Sequence, residues 1–135
     1  MLNSEELQRA SRVAEACLNI VRGALTGVEV DHDSGLVNDP DRHEYLELEA
    51  RRLRGVFYNL KFLAEGFDFK YLLNDAYMAM MKAEDRAKKT AWTDPRWDEY
   101  MSEARCRSSV FFALCAAHAG DYSKVLDEIN HTFLN

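Results

Sequence analysis

The residues able to do chemistry in this chain fall into a few short groupings. Glu128 and His131 stand three apart, the step by which helical bundles aim a carboxylate and an imidazole into one cavity around paired metal ions. Their place near the C-terminus, on a short helix, reads as a solvated helix end. Asp31, His32 and Asp33, with Glu29 and Asp39 nearby, gather acidic oxygens and an imidazole between Thr26 and Asp39. Binding residues concentrate in loops, but a calcium loop would place its glycine one position later and add a bidentate glutamate. The expectation here is a turn held by Asx hydrogen bonds.

The remaining titratable groups read as structural. His118 falls on the apolar stripe of the fourth predicted helix, where a neutral imidazole with one hydrogen-bond partner is the ordinary explanation. His43, beside Asp39, Asp41 and Arg42, reads as surface. Cys17, Cys106 and Cys115 are odd in number and contain no Cys-x-x-Cys pair, which suits neither a disulfide framework nor a zinc site. They are read as buried thiols. No serine, cysteine or lysine stands in a nucleophile context, and there is no glycine-rich phosphate loop. The reading therefore assigns no catalytic residue, metal ligand or cofactor.

Contact chemistry is better represented. Arg51, Arg54, Tyr58 and Lys61 recur at three- and four-residue steps on the second predicted helix, a basic ridge with one aromatic, bracketed by Glu47 and Glu65. Arginine and tyrosine are frequent interface anchors, and together they also grip phosphates and stack on bases. Met78, Met80, Met81 and Met101, joined by Tyr71 and Tyr77, give the third helix more soft and aromatic residues than one buried stripe requires. Tyr71 and Met78 fall off that stripe and are the candidates for a partner or self-association face. Lys82, Arg86, Lys88 and Lys89 suit the negative end of the same helix.

Two local resemblances bear on function. Glu44 and Glu47 form a Glu-x-x-Glu pair that is similar to one acidic motif of the helical nucleotide pyrophosphohydrolases, and it implies magnesium held by converging carboxylates. Glu47 is also placed four residues before Arg51, the favourable orientation for an ion pair. The segment from Ala113 to Ile129, with Gly120-Asp121-Tyr122 at its turn, resembles the middle of one tetratricopeptide repeat. No second copy follows at the family's 34-residue step, so the segment is read as an ordinary helix-turn-helix.

The elements that must position these residues are helices. Asn3 caps the first, with Glu6 three residues on, and Leu7, Ala10, Ala14, Cys17, Leu18, Val21 and Leu25 mark its inner stripe to a stop at Gly27. Val28 and Val30 alternate before turn chemistry, which predicts a loop or small hairpin over 27–39. Asp39-Pro40 starts the second helix, Gly66 ends it, Asp68 caps the third, and Pro95 stands at the start of the fourth behind Thr93 or Asp94. Trp92 and Trp97 are placed to pack across that start. Tyr45, Glu49, Leu53, Val56, Phe57, Leu60, Leu63 and Ala64 mark the second helix's inner face. Leu72, Leu73, Ala76, Met80, Ala83 and Ala87 do so in the third. Trp97, Met101, Ala104, Ser108, Phe111, Cys115 and His118 form the fourth stripe, widened by Tyr100, Val110 and Leu114. Val125, Leu126, Ile129 and Phe133 pack the last helix.

This predicts an all-α, single-domain antiparallel bundle over 1–135, with helices near 3–26, 40–65, 68–89, 95–119 and a short fifth at 121–133. A chain of 135 residues with 47% hydrophobic and 30% charged residues is long enough for one core without disulfides. The longest uncharged apolar run, Ser108 to Ala117, is far too short to span a membrane. The N-terminus lacks the pattern of a secretory signal, so the expected address is cytoplasmic. A net charge of −6 from 17 basic and 23 acidic residues argues against broad affinity for nucleic acid or anionic lipid. The leading expectation is a non-enzymatic protein-protein interaction module: an adaptor, chaperone, inhibitor or immunity-type factor, and potentially a homodimer. A nucleic-acid-associated regulator using the basic ridge and a metal-dependent nucleotide pyrophosphohydrolase are the alternatives.

Overall fold

Helix signals written into the sequence are realised at most boundaries. The structure, a computed structural model, describes residues 1–35 and 39–130 and contains α1 (Ser4–Asp33), α2 (Pro40–Ala64), α3 (Phe69–Lys88), α4 (Trp97–His118) and α5 (Tyr122–Asn130). Asn3 and Glu6 form the expected capping box. The Glu6 amide donates to Asn3 Oδ1 at 2.8 Å, and the Asn3 amide donates to Glu6 Oε1 at 3.1 Å. Asp39 accepts from the Arg42 amide at 3.1 Å ahead of Pro40, and Asp68 accepts from the Lys70 amide at 3.0 Å. Gly66 and Gly120 take positive φ just beyond α2 and α4, the left-handed stop that glycine adopts without a Cβ penalty.

The largest correction concerns 27–39. Gly27 does not stop α1, which continues through Glu29 and Val30 to Asp33, so 27–33 is helix and not a hairpin strand, while 36–38 lie outside the described residues. Gly27 keeps helical geometry on an exposed side, whereas Gly35, at φ 74°, is the residue that turns the chain. The Val28/Val30 alternation reflects a helix whose Val28 packs toward α2 while Val30 stays exposed.

The bundle consists of two hairpins. Ser4 Oγ donates to the Ala64 carbonyl, and Glu29 meets His43 at the other end, so α1 and α2 run antiparallel. Phe69 stacks on His118, and Arg86 lies over Tyr100, so α3 and α4 also run antiparallel. The hairpins join through α2 and α4, which run parallel: Cys106 Sγ donates to the Leu48 carbonyl, and Gly55 faces Val110 one to two turns on. At Gly55 a Cβ would stand 2.9 Å from Val110 Cγ2, so the missing side chain permits the approach.

Helix α4 is central, touching α2, α3 and α5, but its buried face differs from the expected stripe. Ala104, Cys106, Ser109, Val110, Ala113, Leu114, Ala116 and Ala117 are buried, because the neighbours approach on several sides and small residues admit them. His118 is exposed and stacked on Phe69 at 4.4 Å instead of lying in the core. The fourth helix begins at Trp97, later than Pro95. Asp94 caps the preceding turn by accepting from the Arg96 amide, and Trp92 is exposed. Of the three thiols only Cys106 is fully buried; Cys17 and Cys115 are half-buried, and all are free. Phe133 and His131 lie outside the described residues.

Glu49 is buried on the inner face of α2 as expected, but its partner Arg52 was not foreseen there. Arg52 and Glu49, both on α2, are buried together, with Arg52 Nη2 3.0 Å from Glu49 Oε2. The same guanidinium donates to the carbonyls of Glu128 at 2.6 Å and Ile129 at 3.0 Å. It thereby satisfies orphan carbonyls at the C-terminal end of α5, where positive charge is favourable. Val125 and Ile129 are buried beside it, and no buried side-chain polar atom among the described residues lacks a partner.

Candidate functional site

The parallel packing of α2 on α4 leaves a trough on the outer side of their contact. Arg51, Arg54 and Tyr58 of α2 face Cys106, Arg107 and Val110 of α4 across a cleft of about 300 Å³. A second cleft of about 270 Å³ lies between α4 and α3, lined by Tyr100, Glu103 and Arg107 opposite Lys82 and Arg86. Arg107 lines both clefts, so the two adjoin along α4.

Glu103 organises the floor. Its Oε1 accepts from Arg107 Nε at 2.8 Å and its Oε2 stands 3.3 Å from Arg51 Nη1, joining α4 to α2. Its side chain is 28% exposed against 50% and 53% for the two arginines, so the anchor is shielded while the cations remain available. Arg86 lies 5.4 Å from the Tyr100 ring centroid, a cation–π contact across the second cleft. Tyr58 is held against Phe57 and Phe62 at ring-centroid distances of 5.0 and 6.0 Å. The result is five cations, one internal counter-ion and two supported tyrosines on a chain of net charge −6.

Guanidinium forks recognise carboxylates and phosphates in two-point fashion. Preset arginines beside a rigid aromatic lose little conformational entropy when a ligand docks. Burial pushes the Cys106 thiol at the cleft wall up to about 11, which keeps it protonated near neutral pH and unsuited to nucleophilic work.

Three of the sequence candidates, Arg51, Arg54 and Tyr58, meet in this trough. Lys61 does not join them: its ammonium leans over the Phe57 ring at 5.9 Å and lines a separate cleft against Gln8 and Arg12 of α1. Tyr71 and Met78 are 69% and 59% exposed on α3, with Met78 one turn before Lys82. Sequence reasoning missed Arg107, Glu103 and Tyr100 and treated Lys82 and Arg86 as dipole partners only. The Glu103–Arg107 spacing of four was a legible signal for one arm of the anchor; the arm to Arg51 depends on helix packing.

The other acidic groupings are placed apart from the trough. Glu44 and Glu47 lie near the start of α2, while Glu65 stands at its far end. Twenty-one helical steps from Glu44 to Glu65 correspond to roughly 30 Å, too far for one magnesium ion. Asp31, His32 and Asp33 form the last turn of α1, and His32 shares a cleft with Asp39 and His43. Among the described residues no helix is long and apolar enough to cross a membrane. Comparison with known protein families, with curated proteins and with solved structures gives no match to this chain, so its function must be read from the trough itself.

Proposed function

We propose that the chain is a protein-protein interaction module that receives an acidic segment of its partner in the trough between α2, α4 and α3. The observation carrying this reading is Glu103 holding Arg51 and Arg107 side by side, which gathers the cations of three helices around Tyr58 and Tyr100. A partner's carboxylates would meet Arg51, Arg54 and Arg107, and its apolar side chains the faces of Tyr58 and Val110. This role suits an adaptor, chaperone, inhibitor or immunity-type factor. Exposed Tyr71, Met78 and Met81 on α3 supply a second face, for self-association or for the remainder of the same partner.

The test is capture of tagged full-length protein from its native lysate, with and without nuclease, combined with photo-crosslinking from position 58. A nuclease-resistant protein that crosslinks there and is lost in Arg54→Glu and Arg107→Glu, both with unchanged helical content, supports the reading. Recovery of nucleic acid, with binding that weakens steeply as salt rises, would replace it with the nucleic-acid alternative. Capture indifferent to both charge reversals would remove the trough from consideration.

A further inference from the structure

At the opposite end of α2 the structure assembles a donor set that neither the sequence nor the trough explains. Glu29 in the late turns of α1 and Glu47 in the second turn of α2 flank His43 from two sides. His43 Nε2 stands 3.4 Å from Glu29 Oε1 and 3.7 Å from Glu47 Oε1, and the three donor atoms lie within 4.8 Å of one another. We infer that Glu29, His43 and Glu47 form a binding site for a divalent transition-metal ion of the zinc type.

His43 contacts Glu29 directly through a long hydrogen bond of 3.4 Å, and the same distances match donors arranged around one small cation. Ligand atoms 2.0–2.1 Å from a tetrahedral zinc stand about 3.3–3.4 Å apart, the spacing seen on the Glu29 side and a small side-chain rotation away on the Glu47 side. A direct hydrogen bond is usually 2.7–3.2 Å, and 3.7 Å is too long for one. The two carboxylates supply the negative charge that a bound dication would neutralise, and the imidazole supplies a nitrogen donor. The mixed nitrogen and oxygen set suits zinc, cobalt, manganese or ferrous iron, whereas magnesium prefers oxygen ligands at octahedral spacing.

The scaffold is fixed on both sides. His43 lies in the first turn of α2, its amide donating to the Asp39 carbonyl, with Pro40 and the Asp39 cap setting the helix start. Glu47 follows at four residues on the same face. Glu29 and His32 themselves form a Glu-x-x-His step on α1, and His32 lines a cleft of about 140 Å³ with His43, Val28, Asp39 and Pro40. Glu29, His43 and Glu47 are 51%, 34% and 52% exposed, so a bound ion keeps at least one position open to water. Such an ion would pin the end of α1 to the start of α2 across the connection between them.

The inference is independent of the trough and is tested by calorimetric titration of the full-length chain with zinc, and by visible absorption with cobalt as spectroscopic reporter. One equivalent bound with micromolar or tighter affinity, and a cobalt spectrum free of thiolate charge transfer, are expected. His43→Ala, Glu29→Gln and Glu47→Gln, each with unchanged circular dichroism, should weaken zinc binding at least tenfold, while His118→Ala leaves it unchanged. A tenfold excess of magnesium should not compete. Absence of zinc binding, a thiolate band showing cysteine ligation, or wild-type affinity in the three site variants would each overturn the proposal.

Discussion

Arg52→Ala should be the most damaging single substitution outside the apolar core. The guanidinium is 2% exposed and makes a two-point contact with Glu49, with Nε to Oε1 at 3.3 Å and Nη2 to Oε2 at 3.0 Å, besides its bonds to the Glu128 and Ile129 carbonyls. Truncating one partner of a buried pair costs about 3–5 kcal/mol, and each hydrogen bond from a charged donor is worth about 1.5–3 kcal/mol. These terms overlap, so a net loss of about 4 kcal/mol is expected, against a total stability of roughly 5–15 kcal/mol for a domain. The loss should concentrate in α5, whose nine residues are too few to hold a helix alone. Arg52→Lys keeps the charge but not the planar fork, and should lose about half as much as Arg52→Ala. Urea denaturation gives the totals, and amide exchange locates them: the amides of 125–129 should lose protection before those of α2. A change below about 1 kcal/mol in Arg52→Ala, or exchange unchanged in α5, would refute the assignment of this arginine as the clamp on α5.

Two further outcomes follow from α2–α4 packing. Gly55→Ala gains about 1 kcal/mol of helix propensity but drives its Cβ to within 2.9 Å of Val110 Cγ2, an overpacking cost of about 1–3 kcal/mol. A net loss near 1 kcal/mol by urea midpoint is expected, with the sign reversing in a Val110→Ala background. Cys106 should be the slowest of the three thiols to alkylate in native protein at pH 8, read by mass spectrometry; labelling as fast as Cys17 would contradict its burial. Its thiol is raised from 9.0 to about 11 by burial, so the folded chain holds that proton longer than the unfolded one. Stability from this group is present below pH 9 and falls as pH rises toward 11, a slope that Cys106→Ala should reduce.

Much of the fold was legible because local signals agreed with one another. Asn3 with Glu6, Asp39 with Pro40, and Asp68 each mark a helix start by side-chain chemistry that acts within four residues. The failures arose where a local cue lacked information about its surroundings. Gly27 carries the same stop signal as Gly66, but Val28 beyond it packs toward α2, and tertiary contact outweighs a propensity cost near 1 kcal/mol. The periodicity of α4 pointed to His118 and Phe111 because a hydrophobic stripe assumes one buried face. A helix contacted by three others is instead buried through its alanines.

The candidate sites were legible only by halves. Arg51, Arg54 and Tyr58 stood out because they share a face of α2, and Glu103 with Arg107 could be paired on α4 by spacing. The trough exists because α2 and α4 run parallel at Gly55, and chain connectivity alone does not fix that orientation. His43 and Glu29 were likewise read as a surface residue and a loop acid, because treating 27–39 as a loop removed the helix that carries Glu29 back to α2. Once α1 continues to Asp33, fourteen residues of separation become 3.4 Å. In both places the chemistry belongs to pairs of helices. The substitutions that probe it are therefore cross-helix pairs, Arg51 with Glu103 and Glu29 with His43, whose coupling by double-mutant cycle should exceed that of Glu5 with Arg9, an exposed pair along one helix.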